Sequence, residues 1–231
     1  MSMETVILPA YNEARIIGRV IDEVEATLPD CQIIVADSQS TDQTAYIAER
    51  QGATVIYCNR GKGNAVRHVL DYLNKGIPTE YVFMMDSDYT YPARFLLPML
   101  DKLIGGKLVP SYDAVCGWRK NKLGGSMSRL HEIGNNGLTI LANLLYSPPW
   151  IDDLCTGMWG FSKETVELLK QNLTSTGFTL EADIYSTLAK AHKSIGCVEI
   201  DYRPRVGEKA KLKYKDAFKI ANFLVKRRIC K

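Results

Sequence analysis

Residues 81–88 read Tyr-Val-Phe-Met-Met-Asp-Ser-Asp, an apolar run that ends on two acids separated by one residue. A short apolar run of this kind predicts a buried strand over 81–85. Side chains two residues apart in a strand point to the same side, so we expect the carboxylates of Asp86 and Asp88 to lie together. The pattern therefore predicts an acidic pair at the carboxyl edge of a sheet.

The residues before this strand alternate short apolar runs with amphipathic stretches. Strands are predicted over 5–8, 32–36 and 54–57, and helices over 16–28 and 44–51. This alternation is typical of an α/β fold with a mostly parallel central sheet flanked by helices. Ligands of such sheets bind beyond the carboxyl ends of the strands, so the loops that follow the strands should converge on one site.

The second half alternates less regularly. A helix is predicted over 126–146, with Met127, Leu130, Ile133, Leu138, Leu141 and Leu145 broadly on one side. The remaining predicted elements are strands over 114–118, 156–161 and 197–201 and helices over 163–171 and 181–192.

Composition restricts the class of protein. The chain has 231 residues, 46% hydrophobic and 24% charged, which favours one large α/β domain and excludes disordered, collagenous and disulfide-scaffold proteins. Its six cysteines form no C-x-x-C pair, so no zinc or redox motif is present, and a reducing, cytoplasmic compartment is expected. No run of roughly 18 apolar residues predicts a membrane span, and the start of the chain does not resemble a signal peptide.

Charge is concentrated at the end of the chain. The formal net charge is +3, yet residues 209–231 hold nine Lys or Arg against the single acid Asp216. Apolar residues recur at helical spacing in this segment, from Ala217 and Phe218 to Leu224 and Val225. The pattern predicts an amphipathic helix that either lies on an anionic membrane surface or packs on the rest of the domain.

The loops after the strands carry polar residues in a specific order. Residues 9–13 read Pro-Ala-Tyr-Asn-Glu after the first strand, Asp37 begins the loop after the second, and a loop with Lys62 and Gly63 precedes a helix. Because no G-x-G-x-x-G follows the first strand, a nicotinamide dehydrogenase is excluded. Two acids spaced like Asp86 and Asp88 suit Mg²⁺ or Mn²⁺ shared with a diphosphate, because these cations prefer oxygen ligands.

This series of motifs resembles the family 2 glycosyltransferases with the GT-A fold. The second half is similar to polyprenyl-phosphate glycosyltransferases of the dolichol-phosphate mannose synthase type through Gly-Trp-Arg at 117–119, Asp-Leu-Cys-Thr-Gly at 153–157 and Tyr-Arg-Pro-Arg-Val-Gly at 202–207. The resemblance implies one Rossmann-like catalytic domain over 1–208, followed by the basic helix of 209–231.

The resemblance also implies roles for individual residues. Asp86 and Asp88 would hold the cation, Arg119 and Arg129 the acceptor phosphate, and Asp88, Arg119 and Arg205 would serve catalysis. Relatives commonly have a second Asp where this chain has Ser38 and a Ser where it has Ala210, so an altered nucleotide preference is expected. The residues implied to bind the nucleotide sugar are Pro9, Tyr11, Glu13, Asp37, Lys62, Asp86 and Lys211.

The implied reaction is an inverting, metal-dependent transfer of a hexose from GDP-mannose or UDP-glucose to dolichyl or polyprenyl phosphate. A phosphomonoester is largely dianionic at neutral pH, so this acceptor needs no catalytic base. The implied partners are the sugar nucleotide, the lipid phosphate, the cytoplasmic face of a membrane and a separate membrane subunit, and no nucleic acid is implied.

Two alternatives remain open at this stage. A transferase with a hydroxyl acceptor would need a carboxylate to remove a proton, and the candidates are Asp152, Asp153, Glu181 and Asp183. A catalytically inactive scaffold on a membrane would share the basic tail but would bind no sugar nucleotide.

Overall fold

Short runs of Val, Ile, Leu and Phe form a seven-stranded sheet that helices bury on both faces. The computed structural model describes residues 4–73, 79–106, 110–206 and 214–229. The strands are β1 (Glu4–Ala10), β2 (Gln32–Asp37), β3 (Thr54–Tyr57), β4 (Tyr81–Met84), β5 (Ala114–Lys122), β6 (Trp159–Ser162) and β7 (Ile195–Tyr202).

The helices place apolar residues at spacings of three and four against the sheet. In the first helix, Ile17, Val20, Ile21 and Val24 are all buried. The helices are α1 (Ile17–Thr27), α2 (Thr44–Arg50), α3 (Lys62–Leu73), α4 (Leu96–Ile104), α5 (Arg129–Tyr146), α6 (Lys163–Asn172), α7 (Leu180–Lys190) and α8 (Tyr214–Ile229).

The order of the strands is β3-β2-β1-β4-β6-β5-β7. β1 pairs in parallel with β2 and β4, β2 pairs in parallel with β3, and β5 pairs in parallel with β7. β6 runs antiparallel between β4 and β5. The predicted α/β class with a mostly parallel sheet is confirmed, and the chain reverses its direction of winding at β1 and β4, where ligands of open α/β sheets bind.

Two predicted elements differ from the structure. The strand predicted over 156–161 begins only at Trp159, because side chains hold the preceding turn: Gly157 N–H donates to the Tyr91 hydroxyl at 2.6 Å. Helix α4 was not predicted, although Leu96, Met99 and Leu103 are buried at helical spacing. Its early proline, at a position where a helix needs no donor, hides the periodicity.

The long helix α5 is apolar on two faces. Leu138 and Ala142 are buried against the core, whereas Leu130 and Ile133, which were predicted on the same face as Leu138, are exposed. The periodicity could not identify the buried face because apolar residues surround most of this helix.

The basic helix α8 packs on the domain against α5 and α7. Ile220 and Leu224 belong to the buried core, and the Tyr146 hydroxyl donates to the carbonyl oxygen of Leu224 at 2.8 Å. The predicted boundary at 208 lies outside the described residues. None of the helices in the described ranges is long and apolar enough to cross a membrane.

Candidate active site

The acidic pair lies in the loop that follows β4, at the carboxyl edge of the sheet. Asp88 is buried, and its Oδ1 accepts hydrogen bonds from the backbone N–H of Thr90 at 3.1 Å and from its hydroxyl at 2.5 Å. The Asp86 carboxylate lies against Gly157, where a Cβ atom would collide with it. The prediction that both acids lie at one edge of the sheet is confirmed by this arrangement.

Asp86 is neutralised by a lysine from a distant loop. Lys62 Nζ lies 2.5 Å from Asp86 Oδ1 and 2.5 Å from Glu181 Oε1. Burial lowers the pKa of Lys62, but the two carboxylates outweigh burial and hold that pKa above its usual value. Lys62 therefore stays charged beside the acidic pair.

Asp88 is paired with an arginine from the segment after β7. Arg205 Nη1 lies 2.9 Å from Asp88 Oδ2, and its Nη2 donates to Glu13 Oε1 at 2.8 Å. Burial and the neighbouring charge of Asp86 raise the pKa of Asp88 above its usual value, although Arg205 opposes that shift. A buried carboxylate with this shift is typical of a functional site.

Glycines allow the Lys62 loop to lie against a second loop, residues 174–176. Gly61 has a φ of +111°, and a Cβ atom there would collide with the carbonyl oxygen of Thr176. Gly63 lies equally close to the backbone of Ser175, and Asn64 N–H donates to the Thr176 carbonyl oxygen at 3.2 Å. This close approach fixes the start of α3, from which Lys62 reaches the acids.

The loop after β2 holds a buried acceptor. Asp37 is buried, and its Oδ2 accepts from Ser40 N–H at 3.1 Å. Its Oδ1 has no hydrogen-bond partner among the described residues. An unsatisfied buried acceptor costs about 1–3 kcal/mol, so Asp37 is suited to receive a donor from a ligand.

Arg119, on β5, forms a buried bidentate pair with Asp153. The Nε and Nη2 atoms of Arg119 donate to the two Asp153 oxygens at 2.6 and 2.7 Å. The guanidinium also lies 5.2 Å from the centre of the Tyr202 ring, which packs edge-on against Tyr91. Arg119, Tyr91 and Tyr202 all line the site, and Asp153 holds the guanidinium from behind the lining.

These groups surround a cavity of about 390 Å³. Phe178, which precedes α7, and His131 and Asn135 of α5 also line it. The predicted site residues that line the cavity are Pro9, Tyr11, Glu13, Lys62, Asp86, Asp88, Arg119 and Arg205.

Two predicted site residues within the described ranges do not line this cavity. Asp37 is not among the lining residues, although the next residue, Ser38, is. Arg129, the first residue of α5, is exposed and is not brought together with Arg119. Lys211, like Ala210, lies outside the described residues. The acceptor role of Arg129 stays a prediction.

Of the four candidate bases, only Glu181 lines the cavity in the described structure. Asp153 is held by Arg119, and Asp183 is fully buried. Asp152 is exposed.

Sequence reasoning assigned no role to Tyr91 and Tyr202, which both line the cavity. Tyr91 accepts a hydrogen bond from Gly157 N–H and so holds the glycine that lies against Asp86. Tyrosines occur in many cores, so the residue type alone carried no signal. The positions did: Tyr91 lies three residues after Asp88, and Tyr202 begins the Tyr-Arg-Pro-Arg-Val-Gly motif.

Asp86 and Asp88 fit a divalent cation by the chemistry of their oxygens. Among the described residues, no cluster of three or more His, Cys, Asp or Glu could hold a metal by itself. Two carboxylates alone leave most coordination positions open, which suits a cation that is completed by phosphate oxygens.

Comparison with known proteins identifies the family. The model of glycosyl transferase family 2 matches residues 5–169, and the chain therefore belongs to this family. It is 33% identical over 202 residues to the glycosyltransferase AglJ of Haloferax volcanii, across 87% of this chain and 63% of that protein. It is 38% identical over 116 residues to the protein RfbJ of Shigella flexneri, across 50% of this chain and 84% of that protein. The chain thus spans less than two thirds of the length of AglJ.

Solved structures show the same fold. Glucosyl-3-phosphoglycerate synthase from Mycobacterium tuberculosis, in complex with Mn²⁺, uridine diphosphate and glucosyl-3-phosphoglycerate, superposes with a TM-score of 0.70 at 22% identity. The match covers 97% of this chain and 78% of that one. This likeness confirms the expected GT-A fold. In this chain the sheet of that fold includes the antiparallel strand β6.

Proposed function

We propose that the chain transfers a hexose from a nucleotide-diphosphate sugar to a polyprenyl phosphate at the cytoplasmic surface of a membrane. One observation carries the proposal: the cavity that holds the acidic pair is also lined by α5 and α8, whose outer faces expose apolar side chains. A polar donor site beside an apolar surface suits a water-soluble donor and a lipid-linked acceptor.

The donor would bind at the carboxyl ends of β1 and β4. Asp86 and Asp88 would hold Mg²⁺ or Mn²⁺, which supplies positive charge to the departing diphosphate. Lys62 and Arg205, already beside the acids, would turn toward the phosphates as charge develops there. Asp37, next to the lining residue Ser38, would take part in holding the nucleobase or ribose.

The exposed face of α5 supports the lipid acceptor. Leu130, Ile133, Ile140 and Leu144 are 58%, 67%, 61% and 77% exposed. They recur at intervals of three, seven and four residues, so they form one stripe along a helix about 27 Å long. An apolar stripe of this length is typical of a surface that contacts a membrane or another molecule.

The outer face of α8 adds exposed apolar side chains and positive charge. Phe218 is 80% exposed, and the exposed side chains of Lys215, Lys219 and Lys226 lie on the same outer face. Each basic residue near an anionic leaflet contributes about 1 kcal/mol of attraction. Helix α8 therefore both packs on the domain and presents the charge that an interfacial helix needs.

The acceptor phosphate would attack the anomeric carbon as the bond to the diphosphate breaks, with inversion. A phosphomonoester has a second pKa near 6, so it is mostly dianionic and requires no base. Arg119 lines the cavity and would orient the phosphate, since guanidinium groups suit phosphate oxygens. The sugar would pass through an oxocarbenium-like state.

A second candidate is a transferase with a hydroxyl acceptor. Glu181, whose carboxylate lies in the cavity, would then remove the proton of that hydroxyl. Its Oε1 lies 2.5 Å from Lys62 Nζ, which holds the side chain in place beside the acidic pair.

The test incubates the protein and Mn²⁺ with UDP-glucose or GDP-mannose. Separate reactions contain one of three acceptors: a short polyprenyl phosphate, the corresponding polyprenol, or glycerol. Each reaction is run with liposomes that contain or lack anionic lipid. A lipid-linked sugar formed from the phosphate alone supports the proposal. Glycosylated polyprenol or glycerol, lost in Glu181→Gln, favours the hydroxyl acceptor. Sugar-nucleotide binding absent in every reaction favours the inactive scaffold.

Membrane contact is tested separately by flotation with anionic liposomes. The variant Ile140→Glu with Leu144→Glu should lose flotation, because it places two carboxylates on the exposed stripe of α5. The matched control Tyr46→Glu with Tyr57→Glu changes two exposed apolar residues elsewhere and should float normally. Equal flotation of both variants would contradict the assignment of this surface.

A further inference from the structure

We propose that Arg227, on the outer helix α8, is a positioning residue for Lys62 in the donor site. The inference deepens the proposed function, since it rests on the role given to Lys62 in binding the diphosphate. Arg227 does not line the cavity of the active site. It acts through three successive contacts, which run from α8 to α7, from α7 to the loop 174–176, and from that loop to the start of α3.

The first contact joins α8 to α7 by a buried ion pair. Arg227 Nε lies 3.0 Å from Oδ1 of Asp183, a side chain with no exposed surface. The contact is electrostatic, because the two atoms are not aligned for a hydrogen bond. Arg227 Nη2 also donates to the Asn172 carbonyl oxygen and to the Thr187 hydroxyl, both at 2.8 Å. One guanidinium thus ties α8 to α7 and to the end of α6.

The second contact joins Asp183 to the loop 174–176. Its Oδ2 accepts from the backbone N–H groups of Thr174 at 2.6 Å and of Ser175 at 2.7 Å, and from the Thr174 hydroxyl at 3.2 Å. The two carboxylate oxygens therefore have separate partners, since Oδ2 holds the loop and Oδ1 faces Arg227. Losing the arginine would leave the charge of Asp183 buried with only these donors, a costly state.

The third contact joins the loop to the lysine of the donor site. The carbonyl oxygens of Ser175 and Thr176 lie where Cβ atoms of Gly63 and Gly61 would be, and Lys62 stands between these glycines. Any shift of the loop therefore displaces the start of α3. Glu181, the second partner of Lys62, lies two residues before Asp183 on α7, so one helix turn positions both.

The expected consequence is a weaker donor site when the guanidinium is removed. A displacement of about 1 Å at a positioned group can cost 10²-fold in rate. Arg228, the next residue, offers a matched control: it is exposed, and its guanidinium lies 5.8 Å from the centre of the Tyr146 ring, away from Asp183.

The experiment measures the binding of UDP and GDP by calorimetry with Mn²⁺, at a temperature where near-UV circular dichroism shows each variant folded. We expect Arg227→Gln to weaken the better nucleotide about tenfold, an effect within the range of couplings between contacting groups. Arg228→Gln should change it less than about twofold. Unchanged binding by folded Arg227→Gln would overturn the inference.

A double-mutant cycle separates positioning from general stability. If Arg227 acts through Lys62, Arg227→Gln should have almost no further effect on nucleotide affinity in a Lys62→Met background. A purely structural arginine would weaken binding by the same factor in both backgrounds, and that result would overturn the inference.

A third variant guards against loss of the fold. Arg227→Gln with Asp183→Asn removes both buried charges, and the asparagine side-chain oxygen can still accept from Thr174 and Ser175. We expect this pair to recover most of the nucleotide affinity, and a folded pair as weak as Arg227→Gln alone would overturn the inference. If the wild-type chain binds neither nucleotide, the proposed function fails and the inference with it, whereas normal wild-type binding isolates a failure of the inference alone.

Discussion

Two aspartates at opposite ends of the sheet have opposite electrostatic surroundings. Asp113, at the amino end of β5, accepts from Lys193 Nζ at 2.8 Å and from the Ser194 N–H and hydroxyl at 2.8 and 2.7 Å. Burial raises its pKa, but these hydrogen bonds outweigh burial and lower that pKa overall. Asp88, at the carboxyl end of β4, has a raised pKa because of burial and the charge of Asp86.

The difference separates a charge that stabilises the folded state from a charge that destabilises it. Ionised Asp113 stabilises the folded state, because its pKa is lower there than in the unfolded chain. Ionised Asp88 destabilises it, because its folded pKa is higher. A raised pKa contributes stability at acidic pH, and that contribution is lost as the pH rises through the folded value. Ionised Asp88 at the carboxyl edge therefore destabilises the folded state, and a bound cation would remove that destabilisation.

The largest expected effect concerns a pair at the carboxyl edge that belongs to the fold. Arg119→Gln leaves the Asp153 carboxylate buried without its bidentate partner, so we expect a loss of about 3–5 kcal/mol in the free energy of unfolding. Urea denaturation measures it. Arg119→Gln with Asp153→Asn should regain most of the stability but not the transfer activity, and recovery of both would show that Arg119 has only a structural role.

The next largest effect is expected at Asp88, where one substitution should lower activity and raise stability. Asp88→Asn removes one of the two carboxylates proposed to hold the cation, so activity should fall about 10²–10³-fold. The same change removes a buried charge beside Asp86, so the melting temperature of the protein in EDTA at pH 7 should rise. A lower melting temperature would contradict the conclusion that ionised Asp88, unlike ionised Asp113, destabilises the folded state.

A smaller effect is expected at Gly63, which lies against the backbone of the loop 174–176. Gly63→Ala forces its Cβ atom against the Ser175 backbone and should cost about 1–3 kcal/mol of stability. The KM for the donor should rise because Lys62 moves. Gly177→Ala, in the same region but with open space around the new Cβ atom, should leave both quantities nearly unchanged.

The smallest effect is expected at the other end of the sheet. Asp113→Asn should cost less than about 1 kcal/mol, because the side chain is partly exposed and its ion pair is screened. Because the pKa of Asp113 is lowered in the folded state, ionised Asp113 contributes its full stability at pH values above the usual carboxylate pKa. That contribution is lost as the pH falls through the folded-state pKa. Wild type and variant should therefore differ in melting temperature at pH 7 and converge in strong acid, with activity unchanged.

Local patterns predicted the strands and the acidic pair but not the pairing of charges. The strand over 81–85 and the acids that follow it are encoded within eight consecutive residues. The ion pair of Lys62 with Glu181 joins residues 119 positions apart, and no local pattern encodes such a contact. The motif resemblance predicted Arg205 near the nucleotide, but its contact with Asp88 depends on how the chain returns after β7.

The surface was harder to predict than the core. Helical periodicity predicted α5 but could not identify its buried face, since Leu138 on one side and Leu144 on the other are equally apolar. Likewise, the spacing in α8 fitted packing and membrane contact alike. The structure buries Leu224 and exposes Phe218, so the helix has an apolar residue on each face.

The central claim is that the carboxyl edge of the sheet holds a nucleoside diphosphate through a divalent cation. Calorimetric titration of the wild-type chain with UDP and GDP, with Mn²⁺ and then with EDTA, tests it most directly. We predict that one nucleotide binds with Mn²⁺ and at least about tenfold more weakly without it, a difference of about 1.4 kcal/mol. Absence of binding for both nucleotides with Mn²⁺, or equal binding in EDTA, would contradict the claim.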